Sequence, residues 1–595
     1  MASDSIYHQL SELEAARDSF SKGSGARILK LIRALDRAAL SEPLALIRFH
    51  EALLFLRAFP QSAAVRRGVE RVLNGFHKKV GALRGAGADM SEFDTYEYAG
   101  IAGTGMEDTL SFDVARWLVR RLPGKVEIAW DNYEPGRELG NTGPRFMPLL
   151  KDDAFVEADT PWREWLTCAA SKRSKGGAGI PAWLVSRFEA LPLAGERKAE
   201  LYESLRVPLR WELENSALTR TRNWRTPRKI FYHDGPLITR GQVSLGSELG
   251  RRPPGFTRLS QDEGEKVVEF IREVMLVRYR ELYGTTLADG RSVVRVDLGT
   301  SSGTRAGKNE RDESRGVEIY LWNLAPERRL PLRAYVAGFT LKNGVPINYI
   351  EAIGLCEWME VGFNTFYTFR GGEAGWIYAQ VLRALCAYMG TTVVSVYPYQ
   401  LGHENDEAIE SGAFWFYRKL GFRPGRRELL ELVRREEKKI AADRELSADA
   451  AKKYRTPARI LRRLAAGHVF YELPGAEVGA WDGFSTRRIG LRVNERMGRD
   501  FGGDLERMRG HSRRELEEAL GIRTANWNSS ERAAFDHFAL VLAGSARVRG
   551  WSMGEKDALV RVIRAKPQRD EMDYLHLTQQ HERLRDALLA LGSGE

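Results

Sequence analysis

The segment from residue 357 to residue 424 constrains the fold of this chain more than any other. An aromatic-rich strand (358–369), a glycine turn (370–375), a helix (376–389) and a β-branched strand (391–396) follow one another in it. A strand that turns through glycines into a helix places free backbone N–H groups at a helix N-terminus, which is a favourable site for phosphate. The segment therefore predicts an α/β core with an anion-binding turn.

Two short motifs lie inside this segment. In the turn, Arg370 and Gly375 occupy the first and last positions of the pattern Arg/Gln-x-x-Gly-x-Gly/Ala, but Glu373 stands at the fourth position, where the pattern has glycine. Later, a full match to the pattern Tyr-x-x-x-Gly-Phe begins at Tyr417 and ends at Phe422. In this order and spacing, the segment resembles the core of the GNAT superfamily of acyl-CoA-dependent N-acyltransferases.

The resemblance covers about residues 260–425. It implies a mixed, mostly antiparallel sheet with helices on both faces, and acetyl-CoA or another acyl-CoA as co-substrate. In the family, backbone amides of the turn hold the pyrophosphate of CoA, so a carboxylate at Glu373 would repel that group if it faced the turn. The acyl-CoA-binding residues that the resemblance implies are Arg370, Gly371, Gly372, Ala374, Gly375, Trp376 and Asn405.

The resemblance also implies catalytic roles. Tyr417 matches the tyrosine whose hydroxyl often protonates the departing CoA thiolate. Glu351, Glu357 and Glu360 lie on or beside the strands that lead to the turn, so each is a candidate base for the acceptor amine. The acceptor stays open between small molecules and proteins, because members of the family acylate amines of many kinds.

Other interpretations fit the same residues. Phe414, Trp415, Tyr417 and Leu420 are spaced to cover one helix face, as packing alone requires. The core could then be a structural or CoA-sensing module within an interaction scaffold. A third interpretation, nucleic-acid binding, depends on basic residues interleaved with an aromatic one. These residues are Arg220, Arg222, Trp224, Arg225, Arg228 and Lys229.

Composition and charge limit the class of protein. At 595 residues the chain is too long for a single core, and its net charge of +11 favours anionic partners. The three cysteines are scattered, and the first residues lack the features of a secretory signal. No apolar run is long enough to cross a membrane. We therefore expect a cytoplasmic protein without a membrane span.

The histidines and cysteines do not predict a metal site. None of the ten histidines forms a His-x-x-x-His pair, and no Cys-x-x-Cys pair occurs. A zinc site is therefore not expected, and acyl transfer from a thioester to an amine needs no metal ion.

The order of predicted elements divides the chain into four regions. We expect a helical domain at 1–90, a mixed α/β region of unknown type at 91–255, a GNAT-like acyl-CoA-binding domain at 256–425 and a helical C-terminal domain at 426–595. The helical regions are expected to flank the core, since their apolar faces need a surface to bury against.

Local sequence signals support the elements predicted for residues 256–425. Ser260 and Glu263 have the spacing of a capping box, which predicts the start of a long helix that ends at Tyr283. The pair Asn343-Gly344 between two apolar stretches predicts a β-hairpin. Polar, glycine-rich stretches at 171–179 and 299–315 predict loops.

Overall fold

A computed structural model defines the fold over most of the chain. The predicted loops at 171–179 and 299–315 lie almost entirely outside the described residues, as do Arg228 and Lys229 of the basic cluster. The described residues are 2–133, 138–140, 142, 160–171, 179–225, 232–298, 314–446, 454–544 and 546–593.

Four helices open the chain, as their apolar periodicity predicts. They are α1 (Ala2–Ala16), α2 (Ser24–Arg37), α3 (Pro43–Ala58) and α4 (Ala63–Gly85). α3 carries apolar residues on all sides and is buried along most of its length. It is buried because α1 and α4 pack against it, and because the 3₁₀ turn Tyr367–Phe369, just before the glycine turn, also contacts it.

A small antiparallel sheet and several helices follow in the described part of the chain. Its strands are β1 (Gly105–Thr109), β2 (Val126–Ile128) and β3 (Pro208–Glu212), with β3 in the centre. The helices are α5 (Phe112–Arg121), α6 (Trp162–Ser171), α7 (Ile180–Glu189), α8 (Gly195–Glu203) and α9 (Leu245–Leu249). Leu118, Phe188 and Trp211 belong to a separate apolar core in this part, which also includes Leu276 and Val277.

A nine-stranded mixed sheet occupies the centre of the molecule. Its strands are β4 (Gly255–Arg258), β5 (Val294–Asp297), β6 (Val317–Asn323), β7 (Ala334–Lys342), β8 (Val345–Leu355), β9 (Trp358–Thr365), β10 (Val393–Val396), β11 (Arg423–Pro424) and β12 (Val469–Glu472). Their order across the sheet is β11-β12-β10-β9-β8-β7-β6-β5-β4. Among the described strands of this sheet, β9 and β10 form the parallel pair, and the other neighbours are antiparallel. The predicted α/β class with a large mixed sheet is confirmed.

Two local predictions in this region are also confirmed. β7 and β8 form a hairpin through Asn343 and Gly344, both of which have positive φ angles (50° and 81°). The capping box of Ser260 and Glu263 opens α10 (Gln261–Tyr279). The helix ends before the predicted residue Tyr283, because Arg280 adopts the left-handed conformation with φ 54°.

Helices make up most of the remaining chain. They are α11 (Ala374–Met389), α12 (Pro398–Leu401), α13 (Asp406–Ser411), α14 (Ala413–Lys419), α15 (Arg427–Leu446), α16 (Ala458–Leu464), α17 (Thr486–Phe501), α18 (Leu505–Leu520), α19 (Ser529–Leu542), α20 (Ala546–Arg549), α21 (Met553–Ala565), α22 (Glu571–Gln579) and α23 (Glu582–Ser593). Within the part of the chain that the structure describes, no helix is long and apolar enough to cross a membrane.

The central sheet reaches beyond the region predicted for it. β12 comes from the C-terminal stretch that was expected to be helical, yet it lies between β10 and β11. The main apolar core is likewise continuous, since it includes Leu53 of α3, Ile350 of β8 and Leu575 of α22. The N-terminal helices, the sheet and C-terminal helices therefore share one core.

Candidate functional site

The parallel strands β9 and β10 separate at their carboxyl ends. Their pairing extends from Val393 opposite Trp358 to Ser395 opposite Glu360. β9 continues beyond that point, whereas the chain after β10 turns into α12. Gln400 of α12 enters the gap, and the backbone N–H of Phe363 donates a hydrogen bond of 3.1 Å to its Oε1 atom. The Gln400 side chain thus accepts a hydrogen bond from a β9 N–H group that lies beyond the pairing with β10.

Tyr417 reaches the same oxygen from the other side of the gap. Its hydroxyl donates a hydrogen bond of 3.2 Å to Gln400 Oε1. The Tyr417 ring is buried among the rings of Tyr378 and Phe422. Burial raises the pKa of the Tyr417 phenol above its ordinary value, so the hydroxyl stays protonated at neutral pH. Two proton donors therefore converge on one carbonyl-type oxygen.

A cavity of about 270 Å³ opens beside these donors. Its lining includes Phe363, Gln400 and four residues proposed from the sequence. Those four are Arg370, Ala374, Asn405 and Tyr417. Residues up to 54 positions apart in the sequence, from Phe363 to Tyr417, thus line one cavity at the end of β9 and the start of α11.

Arg370 and Asn405 also have structural partners. Arg370 forms an ion pair of 2.6 Å with Glu407, and its guanidinium lies over the ring of Tyr367. Asn405 is the N-cap of α13, where its Oδ1 atom accepts a hydrogen bond of 3.2 Å from the backbone N–H of Ala408. Both side chains line the cavity, and both help to hold its wall in place.

Glu373, which departs from the family pattern, is turned into the protein. Its carboxylate is fully buried and accepts hydrogen bonds from Lys342 Nζ at 2.9 Å and from the Arg315 guanidinium. The backbone N–H of Ile238 donates to it as well, at 3.0 Å. Burial alone would raise the pKa of Glu373, but the charges of Lys342 and Arg315 hold it below its ordinary value. The repulsion expected from this carboxylate is therefore offset by two cations.

The other residues of the turn make close contacts outside the cavity lining. A Cβ atom on Gly372 would lie 2.5 Å from Phe59 Cζ, and one on Gly375 would lie 3.0 Å from Arg240 Cδ. On Gly371 it would meet Arg17 Nη2 at 3.7 Å. Trp376 is buried, with the Arg315 guanidinium over its ring. Glycine is thus required at residue 372 by packing against the N-terminal helices.

The start of α11 is electropositive. The amides of Ala374, Gly375 and Trp376 lie in the first helical turn, where backbone N–H groups have no partner within the helix. Arg240 approaches the same turn, and its Nε and Nη2 atoms are buried with no hydrogen-bond partner among the described residues. An anionic group would satisfy these donors.

The three candidate bases lie in different surroundings. Glu360 Oε2 is 3.0 Å from His468 Nε2, and the His468 ring packs edge-on against Tyr397. Glu357 is held by Arg585 at 2.5 Å and by the indole N–H of Trp481 at 2.8 Å. Both partners come from the C-terminal region, so Glu357 joins the turn between β8 and β9 to that region. This gives Glu357 a structural role.

Glu351 lies beside Gln400. Its carboxylate accepts hydrogen bonds from the hydroxyls of Tyr335 and, at 3.2 Å, Tyr349. Glu351 is opposite Gly362 in the sheet, and a Cβ on Gly362 would lie 3.0 Å from Gln400 Nε2. Burial raises the pKa of both tyrosines well above its ordinary value, so both hydroxyls remain donors to Glu351.

Strand alternation places these acids away from Tyr417. Glu351 and Glu360 share one face of the sheet, because Glu351 pairs with Gly362, two residues beyond Glu360. The Phe363 side chain lies on the opposite face, where its ring contacts Tyr378 of α11. His468, the residue before β12, lies on the same face as these acids, beside Glu360. The sequence did not mark His468 as a site residue, because it is a lone histidine 108 residues from Glu360.

Arg220, Trp224 and Arg225 of the basic cluster contact other parts of the protein. Arg220 is 1% exposed and forms an ion pair of 2.6 Å with Glu51. The indole N–H of Trp224 donates to the carbonyl of Asn343, and the Arg225 guanidinium lies over the ring of Tyr320. These side chains therefore serve internal contacts. Within the described residues, no group of three or more His, Cys, Asp or Glu side chains could hold a metal ion.

Comparisons of the chain with protein-family models, with curated proteins and with solved structures found no match. The function is therefore inferred from the site itself.

Proposed function

We propose that the chain is an acyl-CoA-dependent N-acyltransferase with a GNAT-like core. The observation that carries this proposal is the convergence of the Phe363 N–H and the Tyr417 hydroxyl on the amide oxygen of Gln400. A primary amide is similar in shape and polarity to the carbonyl end of a thioester. With Gln400 withdrawn, the same two donors would face the carbonyl oxygen and the sulfur of an acyl-CoA bound in the cavity.

Topology supports the GNAT-like core. α11 connects the parallel strands β9 and β10, and α14 leads into β11, so the two motifs of the sequence flank the point where the parallel strands separate. The N-terminal helices contact the glycine turn through Phe59, and β12 joins the sheet from the C-terminal side. We propose that these helical regions flank the core and shape its acceptor side.

Each step of acyl transfer has a candidate residue. The amides at the start of α11, with Arg240, would hold the pyrophosphate, and acetyl-CoA or another acyl-CoA would supply the activated acyl group. The N–H of Phe363 would stabilise the oxyanion that develops at the carbonyl carbon. Tyr417 would donate its proton to the departing thiolate.

The acceptor amine would approach from the opposite face of the sheet. There Glu360, hydrogen-bonded to His468, and Glu351 would take its proton or attract its charge. The amine belongs to a small molecule or to a protein. We also propose a cytoplasmic location, because Cys168, Cys356 and Cys386 are all unpaired, as a reducing compartment favours.

One observation favours a second candidate, a CoA-sensing module without catalysis. Gln400 occupies the oxygen position of the site with two hydrogen bonds, so ligand binding must displace it. A displacement of this kind would move α12 and could report ligand binding to other parts of the molecule.

Calorimetric titration with acetyl-CoA, combined with an assay of thiol release in the presence of primary amines, tests both candidates. Gln400→Ala should bind acetyl-CoA more tightly, by about tenfold, because two hydrogen bonds no longer have to be broken. Tyr417→Phe should bind acetyl-CoA at least as tightly as the unmodified chain, because it removes one of these two hydrogen bonds, but its turnover should fall by about 10²–10⁴-fold through loss of the acid.

The outcomes separate the candidates. Binding without thiol release for every amine would favour the sensing module. No binding at millimolar acetyl-CoA by either the unmodified chain or Gln400→Ala would exclude both. Full turnover by Tyr417→Phe would remove that tyrosine from the catalytic residues.

A further inference from the structure

Helices α2 and α4 carry a large share of the positive charge of this chain. Their 37 residues include ten arginines and lysines and two acidic residues, Asp36 and Glu70. This local surplus of eight positive charges compares with a net charge of +11 for all 595 residues. Charge of one sign that is concentrated in this way produces a surface potential that attracts anions.

Four of the ten cations have a partner. Arg66 lies over the ring of Tyr232, and the other three form ion pairs. The ion pairs are Arg27–Glu12, Lys79–Asp36 and Arg84–Glu212. The remaining six side chains are exposed, and within the described part of the chain they form no ion pair or hydrogen bond. These six, which we call the basic face, are Lys30, Arg33, Arg37, Arg67, Arg71 and Lys78.

Helical periodicity arranges the basic face in two rows. The three cations of α2 follow one another at spacings of three and four residues. On α4, Arg67 and Arg71 are four residues apart, and Lys78 follows two turns later. Each row therefore lies along one side of its helix. At about 1.5 Å per residue, the row on α4 is about 16 Å long.

A groove of about 210 Å³ lies between α2 and α4. Three arginines of the basic face line it, together with Asp36 and apolar residues. The Asp36 carboxylate is held by Lys79 at 3.2 Å, so it does not neutralise these arginines. The helices approach closely, since a Cβ atom on Gly68 would lie 2.8 Å from Leu29 Cδ2. A partner would therefore meet guanidinium groups on both sides of a narrow groove.

The side chains of this surface disfavour several kinds of polyanion. Among the described residues, the exposed large hydrophobic side chains all lie outside α2 and α4. The surface thus lacks groups that insert into a membrane or stack on unpaired bases. The described lining of the groove also contains no serine, threonine, asparagine or glutamine that could both donate to and accept from the 2′-hydroxyl groups of RNA.

Linear charge density favours a DNA duplex over an acidic protein segment. Duplex DNA carries one negative charge per about 1.7 Å of its axis, so about ten phosphates are spread along the length of the α4 row. An extended peptide carries at most one charge per residue, at about 3.3 Å. The duplex therefore offers about twice as many anions to the same row of cations.

We propose that the basic face binds the phosphate backbone of double-stranded DNA without reading the base sequence. Arg33, Arg67 and Arg71 donate charge-assisted hydrogen bonds to phosphate oxygens, and the other three cations add attraction. The surface differs from the basic cluster at 220–229. It is also separate from the proposed acyl transfer, because none of its six residues lines the cavity beside Tyr417.

Fluorescence anisotropy of a labelled DNA duplex, titrated with the full chain at several salt concentrations, tests the proposal. Each phosphate contact contributes about −0.9 to the slope of log K against log salt, so six contacts predict a slope of about −5. The variant Arg33→Gln/Arg67→Gln/Arg71→Gln should bind the duplex at least about tenfold more weakly, and its slope should be shallower by about 3.

A second triple variant separates the surface from overall charge. Arg487, Arg514 and Arg561 are exposed arginines of α17, α18 and α21. Their replacement by glutamine changes the net charge by the same amount as the first triple variant does. This control should keep the affinity and the salt slope of the unmodified chain. Circular dichroism establishes that both variants are folded.

Competition with other polyanions tests the choice of partner. The competitors are unlabelled duplex DNA, duplex RNA of the same sequence, single-stranded DNA, polyglutamate and vesicles that contain phosphatidylserine, all compared at equal charge. Stronger competition by any of the others than by duplex DNA would overturn the proposal. Equal losses in the two triple variants would overturn it too, as would no measurable binding of the duplex at about 50 mM salt. A loss confined to the first variant, with duplex DNA the strongest competitor, would support it.

Discussion

Glu373 shows how one buried carboxylate can hold the glycine turn in place. Its neighbour Lys342 is 1% exposed, and Glu373 itself is 0% exposed, so neither charge is solvated by water. Arg315 completes the cluster. Because Glu373 is the counter-ion of both cations, removing its charge leaves the buried Lys342 ammonium without that compensation. The position that breaks the family pattern is therefore a structural anchor between β7, the start of α11 and Arg315.

We expect Glu373→Gln to lower the free energy of unfolding by about 3–5 kcal/mol, because the Lys342 ammonium would remain buried without its counter-ion. Urea denaturation measures this change. The double variant Glu373→Gln/Lys342→Met should recover much of the loss, since the uncompensated cation is removed. A single variant as stable as the unmodified chain would show that the cluster contributes little to stability.

At the scale of elements, the glycine turn depends on its contact with α3. Phe59, which follows α3, is 2% exposed, and its ring lies against Gly372. A Cβ at residue 372 would also lie 3.1 Å from the carbonyl oxygen of Phe369. The turn therefore cannot relax away from the ring. Gly371, next to it, has only an ordinary contact at 3.7 Å with the end of Arg17.

These two glycines form a matched pair for substitution. Gly372→Ala should lower the free energy of unfolding by about 1–3 kcal/mol, because the added methyl group overpacks a buried contact. Gly371→Ala should leave stability unchanged or raise it slightly, since it restricts the unfolded chain without a clash. Thermal unfolding of both variants makes the comparison. Equal effects would mean that Phe59 moves aside freely.

At the scale of the whole molecule, a buried polar network joins three distant parts of the chain. His50 of α3 contacts Glu51 at 3.1 Å and Thr221 at 2.8 Å. Arg220 donates to Glu51 at 2.6 Å and to Thr368, in the 3₁₀ turn before the glycine turn, at 2.9 Å. The network thus connects the N-terminal helices, the small-sheet region and the candidate site.

This network makes stability dependent on pH. Burial lowers the pKa of His50 from 6.5 to about 4. The unfolded chain therefore binds a proton at His50 before the folded chain does, so the contribution of His50 to stability is present above pH 6.5 and is lost as pH falls toward 4. Burial would raise the pKa of Glu51, but Arg220 and His50 lower it, so Glu51 loses its contribution only at more acidic pH.

Between about pH 7 and about pH 5, His50 should account for a loss of about 2 kcal/mol in the free energy of unfolding. Urea denaturation of the unmodified chain and of His50→Gln at both pH values measures it. Burial also lowers the pKa of His537, but that residue is present in both proteins, so the difference between them isolates His50. An identical pH dependence in the two proteins would contradict the prediction.

Local signals in the sequence were sufficient for several elements. The Asn343-Gly344 hairpin, the capping box of α10 and the strand-turn-helix order of residues 358–389 depend on backbone preferences and near neighbours. Such preferences act within a few residues, so they can be recognised without knowledge of the fold. The α/β class and the large mixed sheet followed from them.

Only the tertiary structure decided how the candidate site is assembled. The sequence marked Tyr417 and Arg370, but it did not indicate that Gln400 would fill the gap after β10, that His468 would meet Glu360, or that Glu373 would turn inward to Lys342. Each of these contacts joins residues that are 31 to 108 positions apart. Contacts at that separation depend on strand register and burial in the folded chain, and they leave no local or periodic signal in the sequence.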